Sequence, residues 1–93
     1  MEEDFTEPMV IPIEGELDLH TFRPKDVKML LPDYLEACRE ESIYEVRIIH
    51  GKGTGQLRRL VHSILDKNPL VESYRLDSGR SSWGCTLAVL KKD

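Results

Sequence analysis

The sequence predicts an α/β (α+β) domain folded as a two-layer sandwich. Four segments show the residue alternation or β-branched composition of strands, and two show apolar residues at helical spacing, in the order β-α-β-α-β-β. Each β-α-β unit should be right-handed. Because two helices are enough to cover only one face of a sheet, the other face should stay partly open.

The first strand is predicted over Gly15–His20, where polar and apolar residues alternate and the two leucines face inward. The first helix should begin at Pro24, a favoured first helical residue, and run to about Glu41. Pro32 lies inside this helix and has no backbone N–H. We therefore expect the helix to be kinked or divided there.

The second half of the chain continues the pattern. A β-branched strand, an amphipathic helix ended by Asn-Pro, and two further strands are predicted, over Tyr44–His50, Gln56–Lys67, Val71–Leu76 and Trp83–Leu90.

Composition limits the class of protein. A chain of 93 residues with 40% hydrophobic residues has room for one domain and a modest core. It has no apolar run near 18 residues, and its N-terminus lacks the basic and apolar parts of a secretory signal. We therefore expect a cytoplasmic protein without a membrane partner. Cys38 and Cys85, which lack metal-site spacing, should be reduced and buried.

The net charge of −4 is unevenly distributed. Residues 1–18 hold seven acidic residues and no Lys or Arg, whereas residues 19–93 hold 13 basic against 10 acidic residues. Residues 1–13 are predicted to form a flexible acidic arm, and residues 14–93 the folded domain. The mildly basic body permits phosphate binding without requiring it.

A glycine-rich turn is the most informative local feature. Gly51, Gly53 and Gly55 follow a strand and precede a helix, so free N–H groups and the positive end of the helix dipole converge there. The turn matches neither a complete Walker A loop nor a complete dinucleotide fingerprint. We predict a phosphate or nucleic-acid site formed by Gly51, Lys52, Gly53, Thr54, Gly55, Arg58 and Arg59; the alternative is a tight turn with exposed basic residues.

Asp18 and His20 share one face at the end of the first strand, and His50 ends the second strand. If these strands are neighbours, the three side chains meet beside the glycine turn. Imidazoles can exchange protons near neutral pH, and a carboxylate can fix a histidine tautomer or hold a metal ion. Asp18, His20 and His50 are therefore candidate catalytic residues for phosphodiester cleavage, although each histidine alone is also compatible with a structural role. His62 is interpreted as a surface or helix-packing residue.

Three separated segments resemble the Smr (small MutS-related) domain family. They are Leu17-Asp18-Leu19-His20, the run from Ile49-His50-Gly51-Lys52-Gly53 to Arg58, and Trp83-Gly84-Cys85-Thr86 with the strand that follows. Their order and spacing fit the family over about Gly15 to Leu90. With no MutS-like ATPase segment, the chain would be a stand-alone member.

The resemblance implies a four-stranded mixed sheet with two helices, similar to the C-terminal domain of a bacterial translation initiation factor. It also implies nucleic-acid binding and endonuclease activity. The family's L-D-x-H motif falls on Leu17, Asp18 and His20, and its H-G-x-G motif on His50, Gly51 and Gly53. Ser81 and Ser82 replace a glycine pair common in the family, which bears on the shape of the loop before the last strand.

Two mechanisms and two alternative functions stay open. With RNA, the ribose 2′-OH can be the nucleophile and two histidines suffice; with DNA, water must attack, and Asp18 would help to bind Mg²⁺ or Mn²⁺. The main alternative to a nuclease is a non-catalytic module that binds nucleic acid or the ribosome. A third is a protein that binds nucleotides or small phosphates. Trp83 would be a core residue or a base-stacking one.

Overall fold

The computed structural model describes residues 12–51, 53–77 and 84–92. It has the predicted order of elements: β1 (Glu16–Asp18), α1 (Pro24–Glu40), β2 (Glu45–Ile49), α2 (Gln56–Lys67), β3 (Val71–Leu76) and β4 (Cys85–Leu90). Most of the acidic arm, Lys52, Ser81, Ser82 and Trp83 lie outside the described residues.

The four strands form one mixed sheet in the order β1-β2-β4-β3. β1 is parallel to β2, whereas β4 runs antiparallel to both β2 and β3. β4 thus lies between β2 and β3, the strands that α2 connects. Because β1 and β2 are parallel neighbours, their carboxyl ends meet at one edge of the sheet, as the site prediction required.

The two helices contact each other and enclose a single core against the sheet. The core side chains alternate along the strands and recur at helical spacing in α1 and α2, which confirms the predicted two-layer α+β architecture. The fully or nearly fully buried apolar residues are Leu17, Leu19, Val27, Leu31, Tyr34, Leu35, Cys38, Val46, Ile48, Val61, Leu65, Cys85, Ala88 and Leu90.

Tyr34 of α1 fixes the beginning of β1. Its buried hydroxyl accepts hydrogen bonds from the backbone N–H groups of Gly15 and Glu16, both at 3.2 Å, and donates to the carbonyl oxygen of Glu16 at 3.1 Å. Gly15 adopts φ +86, a conformation that favours glycine. One helix side chain therefore satisfies backbone groups where the chain enters the sheet.

Two local predictions need correction. α1 is not divided at Pro32 but continues from Pro24 to Glu40, and Leu31 and Leu35 on either side of the proline are both fully buried in the core. A kink at Pro32 stays a prediction. β1 ends at Asp18, two residues earlier than predicted. The backbone still pairs one residue further, since the N–H of Leu19 donates to the Ile49 carbonyl oxygen at 2.7 Å.

Cys38 and Cys85 are buried free thiols, and burial raises the pKa of each. The prediction that they are buried is confirmed. In the part of the chain that the structure describes, no helix is both long and apolar enough to span a membrane.

Candidate active site

Asp18 and His20 form a hydrogen-bonded pair at the end of β1. Oδ1 of Asp18 lies 2.5 Å from Nδ1 of His20 and 3.1 Å from the backbone nitrogen of His20, so one carboxylate oxygen accepts from both. Both side chains are about half exposed. Burial raises the pKa of Asp18, but the hydrogen bonds and charge of His20 outweigh it and leave that pKa below its ordinary value. Asp18 is therefore ionised at neutral pH.

The glycine turn follows β2 directly and contains three residues with positive φ: Gly51 at +81, Gly53 at +28 and Gly55 at +84. L-side chains rarely adopt this region, so these positions suit glycine. A Cβ on Gly51 would also lie 3.4 Å from Cβ of His20. The turn thus passes close to His20.

Gly51 requires a correction to the predicted role of the turn's N–H groups. Its N–H donates to the carbonyl oxygen of Gly84 at 2.9 Å, and the N–H of His50 donates to the same oxygen at 3.0 Å. Because Gly84 immediately precedes β4, the sheet itself uses this amide. Gly51 contributes a left-handed turn to the site, and its N–H group is not available to a phosphate.

α2 begins at the end of the glycine turn. Its first internal hydrogen bond runs from the N–H of Arg59 to the carbonyl oxygen of Gly55 at 3.0 Å, so the N–H groups before Arg59 have no acceptor inside the helix. A Cβ on Gly55 would lie 3.1 Å from Nη2 of Arg58 and 3.4 Å from Nη1 of Arg59. Both guanidinium groups therefore fold back over the turn and add positive charge to the helix N-terminus.

A cleft of about 250 Å³ joins these groups. Its walls bring together seven of the predicted site residues; Asp18 reaches the cleft through His20, and Arg59 flanks it beside Gly55. Phe22 and Pro24, from the segment between β1 and α1, supply apolar wall that sequence reasoning did not assign to the site. The predicted residues lining the cleft are His20, His50, Gly51, Gly53, Thr54, Gly55 and Arg58.

His50 is 4% exposed, and both of its ring nitrogens have partners inside the protein. Nδ1 lies 2.9 Å from the carbonyl oxygen of Gly51, and Nε2 lies 2.8 Å from Oγ1 of Thr86. Burial lowers the pKa of His50, and the positive charge of Arg58 lowers it further. The hydrogen bond to Gly51 raises this pKa and so partly opposes the two effects. The ring is therefore neutral at physiological pH.

His62 and Thr86 are the polar residues beside the site that sequence reasoning missed. Nε2 of His62 lies 2.8 Å from the same Thr86 Oγ1, and burial, then the nearby His50 and Arg58, lower the pKa of His62. Thr86 is fully buried on the helix-covered side of β4. A polar residue at an inward-facing position of an apolar strand was the one available signal for Thr86. For His62, the helical spacing indicated packing but not its partner.

The prediction of a metal-binding role for Asp18 concerns a residue already paired with His20. Within residues 12–51, 53–77 and 84–92, no three His, Cys, Asp or Glu side chains come together as a group able to hold a metal ion. A divalent ion at Asp18 would take its other ligands from water and substrate phosphate, as Mg²⁺ commonly does.

The family model described as "Smr domain" matches residues 17–91. The chain belongs to the Smr domain family. The match includes all three segments that carry the resemblance, so the predicted family is confirmed.

Smr domains of larger proteins are similar to this chain. It is 45% identical over 78 residues to Endonuclease MutS2 of Halothermothrix orenii, and 43% identical over 77 residues to Endonuclease MutS2 of Bacillus mycoides. The two alignments cover 81% and 82% of this chain but only 10% of each relative. This Smr domain therefore spans about a tenth of the length of these relatives.

Two solved structures share the fold. The crystal structure of the Smr domain of Thermus thermophilus MutS2 superimposes with a TM-score of 0.78 at 29% identity, covering 84% of this chain and 99% of that one. YdaL, a stand-alone small MutS-related protein from Escherichia coli, gives a TM-score of 0.77 at 20% identity, covering 84% of this chain and 65% of its own. The fold therefore occurs both within MutS2 and in a separate protein.

Proposed function

We propose that this Smr domain binds nucleic acid and cleaves its phosphodiester backbone as an endonuclease. One observation carries the proposal: the Asp18–His20 pair adjoins a cleft whose walls include the glycine turn and Arg58. Proton exchange and phosphate binding are thereby brought within one small space. The endonuclease names of the MutS2 relatives support the same reaction class.

His20 is the proposed proton-transfer residue. Ionised Asp18 accepts a hydrogen bond from Nδ1–H of His20, so proton exchange with a substrate falls to Nε2. The unprotonated Nε2 can remove a proton from the attacking hydroxyl group, which is the ribose 2′-OH in RNA or water in DNA hydrolysis. The new P–O bond forms as the bond to the leaving oxygen breaks, and that oxygen takes its proton from solvent water. Proton exchange by His50 was also predicted, but its two ring nitrogens are engaged by Gly51 and Thr86. We therefore assign His50 a positioning role in this arrangement.

Phosphate binding is assigned to the glycine turn and the N-terminus of α2. The backbone of Gly53, Thr54 and Gly55 permits close approach, and the guanidinium groups of Arg58 and Arg59 supply charge. Positive groups held in fixed positions stabilise charge that develops on the phosphate in the transition state. We include Lys52 in the same proposed binding set because it lies between Gly51 and Gly53 in the sequence.

The deciding experiment is cleavage of matched, end-labelled DNA and RNA by the wild-type chain, His20→Ala and the control Thr21→Ala. Each substrate is incubated with Mg²⁺, Mn²⁺ or EDTA. We expect His20→Ala to lose at least about 100-fold in kcat, within the range that general acid–base catalysis supplies, and the exposed neighbour Thr21→Ala to remain active.

Each result has a definite meaning. RNA cleavage that persists in EDTA supports attack by the 2′-OH, whereas cleavage that requires Mg²⁺ or Mn²⁺ supports a metal ion at Asp18. Wild-type and His20→Ala proteins that both bind but never cleave contradict the endonuclease and favour a binding module for nucleic acid or ribosomes. Equal cleavage by both proteins contradicts the assignment of His20.

A further inference from the structure

A hydrogen-bonded series of polar side chains links α2 to the glycine turn beneath the cleft. His62 of α2, Thr86 of β4 and His50 after β2 are joined by two hydrogen bonds of 2.8 Å that meet at Oγ1 of Thr86. A third, of 2.9 Å, runs from Nδ1 of His50 to the Gly51 carbonyl oxygen. Thr86 is fully buried and His50 nearly so, which makes unsatisfied polar atoms costly here.

The number of protons available fixes which atom donates in each of these hydrogen bonds. A carbonyl oxygen only accepts, so Nδ1 of His50 must carry the proton that it donates to Gly51. Nε2 of the neutral ring is then an acceptor, and the hydroxyl group of Thr86 donates its single O–H to it. Thr86 Oγ1 has no second proton to give, so Nε2 of His62 must donate to it. The lowered pKa values of His50 and His62 agree with two neutral rings.

His62, at the α2 end of this hydrogen-bonded series, is also held in place by an aromatic neighbour. The ring centroids of His62 and Tyr74 are 4.8 Å apart with 43° between the ring planes, and the Tyr74 hydroxyl donates to Oδ1 of Asp66 at 2.7 Å. His62 is therefore confined between Thr86 and an aromatic ring that is itself hydrogen-bonded. This arrangement restricts the rotation of His62 and keeps its Nε2 on Thr86.

We propose that Thr86 and His62 are positioning residues that hold His50 as the Nδ1–H tautomer on the Gly51 carbonyl and thereby fix the glycine turn. Both polar groups of Gly51 are then anchored, its N–H to Gly84 and its C=O to His50. Gly51 also lies close to His20, since an ideal Cβ built on Gly51 would be 3.4 Å from Cβ of His20. The turn that binds phosphate is thereby held in register with the group that moves the proton. This role rests on the proposed function, whereas the tautomers themselves do not.

The first test reads the tautomers directly. Long-range ¹H–¹⁵N spectra of the full chain, labelled with ¹⁵N-histidine and recorded above the ordinary histidine pKa of about 6.5, distinguish protonated from unprotonated ring nitrogens. We expect His50 to be protonated on Nδ1 and His62 on Nε2. A His50 protonated on Nε2 overturns the proposal without any mutation.

The second test removes the central hydroxyl. Thr86→Val keeps the shape of the side chain but leaves Nε2 of His50 without a donor and His62 without an acceptor; Thr86→Ser keeps the hydroxyl. We expect Thr86→Val to alter the His50 tautomer and shift the backbone amide signals of Gly51, Gly53 and Gly55, and Thr86→Ser to restore both. Unchanged tautomer and amide signals in a folded Thr86→Val protein overturn the proposal.

A second pair of variants covers the case in which Thr86→Val fails to fold. His62→Gln retains an N–H donor for Thr86, whereas His62→Leu has none. The proposal requires wild-type-like tautomer and turn signals in His62→Gln and altered signals in His62→Leu; identical spectra of the two variants contradict it.

Kinetics separate this inference from the endonuclease proposal. In the substrate that the wild type cleaves, Thr86→Val should lower kcat about tenfold or more, because misplacing a reacting group by about 1 Å can cost on the order of 100-fold. Thr86→Ser should recover activity. Normal kcat in Thr86→Val with an unchanged tautomer refutes the positioning role and leaves the endonuclease standing. If no substrate is cleaved, the endonuclease fails, and the spectra still decide the positioning role.

Discussion

Single residues at the site act in pairs whose geometry fixes protons. Asp18 accepts a hydrogen bond from Nδ1–H of His20, and the Gly51 carbonyl oxygen accepts one from Nδ1–H of His50. The two histidines end neighbouring strands, but one is half exposed and the other is 4% exposed. This contrast favours proton exchange with substrate by His20 and orientation of the glycine turn by His50.

We expect the negative charge of Asp18 to contribute more to kcat than its hydrogen bond to His20 alone. Asp18→Asn keeps an oxygen that can accept from Nδ1 of His20 but removes the negative charge that would stabilise a protonated ring. We expect kcat to fall at least about 100-fold in the cleavage assay, by analogy with the carboxylate of hydrolytic triads. The matched control is Glu16→Gln, also in β1, whose carboxylate pairs with Arg47 outside the cleft. Equal losses in the two variants would show that the effect is not specific to Asp18.

At the scale of elements, position in the sheet determines what each segment contributes. β1 and β2 are parallel neighbours and deliver Asp18, His20 and His50 to one edge. β4 lies beside β2, so Gly84 anchors the turn after β2 and Thr86 lies within reach of both α2 and His50. The helix that follows the turn supplies N–H groups that have no acceptor within the helix, of which that of Gln56 donates to Oγ1 of Thr54, and two arginines.

α1 contains a proline that the fold tolerates at a cost. Pro32 cannot donate to the carbonyl oxygen of Lys28, although the helix continues through it. We expect Pro32→Ala to raise the free energy of unfolding by about 1–3 kcal/mol, through the recovered hydrogen bond and helix propensity. Urea unfolding measures the change, and the exposed neighbour Asp33→Ala is the control, with an expected gain below about 0.7 kcal/mol. No gain, or one no larger than that of Asp33→Ala, would contradict the expected cost of Pro32.

At the scale of the whole molecule, two neutral histidines are built into the layer between sheet and helices. Their pKa values are lowered, chiefly by burial, so the unfolded chain binds protons more readily than the folded one. The stability that depends on their neutrality is complete above the ordinary histidine pKa of about 6.5 and is lost as the pH falls below it. Asp18 acts in a separate, more acidic window, since its lowered pKa lets it contribute until the pH falls through that value.

The free energy of unfolding should therefore decline between about pH 7 and pH 5. Urea titrations of the wild type at several pH values measure this slope, and His62→Gln, which removes one of the two groups, should flatten it. A wild-type free energy that stays constant across this interval would contradict the burial of two neutral imidazoles.

The negative charge of the acidic N-terminal arm should weaken the binding of nucleic acid. Deleting residues 2–11 removes four acidic residues and keeps Pro12 and Glu14, which contact the Tyr34 hydroxyl. We expect tighter nucleic-acid binding at low salt, with the difference shrinking as salt screens the repulsion. Fluorescence anisotropy with one labelled oligonucleotide measures both proteins. Equal affinities at low salt would refute the predicted repulsion by the arm.

Sequence by itself determined the elements, the family and most of the residues that meet at the cleft. Alternation, helical spacing and the glycine turn depend on short-range steric and hydrophobic rules, so they can be read along the chain. They gave the order of elements and the bounds of α2 and β3 as the structure has them. They also gave the meeting of His20 and His50 at one cleft, subject to the condition that their strands are neighbours.

Only the tertiary structure decided which polar atoms meet across the fold. Thr86 and His50 are 36 residues apart, and His62 and Thr86 are 24 apart, yet all three share hydrogen bonds because β4 returns between β2 and β3. Because of the same return, the Gly51 N–H donates to the Gly84 carbonyl oxygen and is not available to the proposed phosphate site. Hydrogen bonds require positions accurate to a few tenths of an ångström, and sequence periodicity assigns a residue to a face but not to a partner.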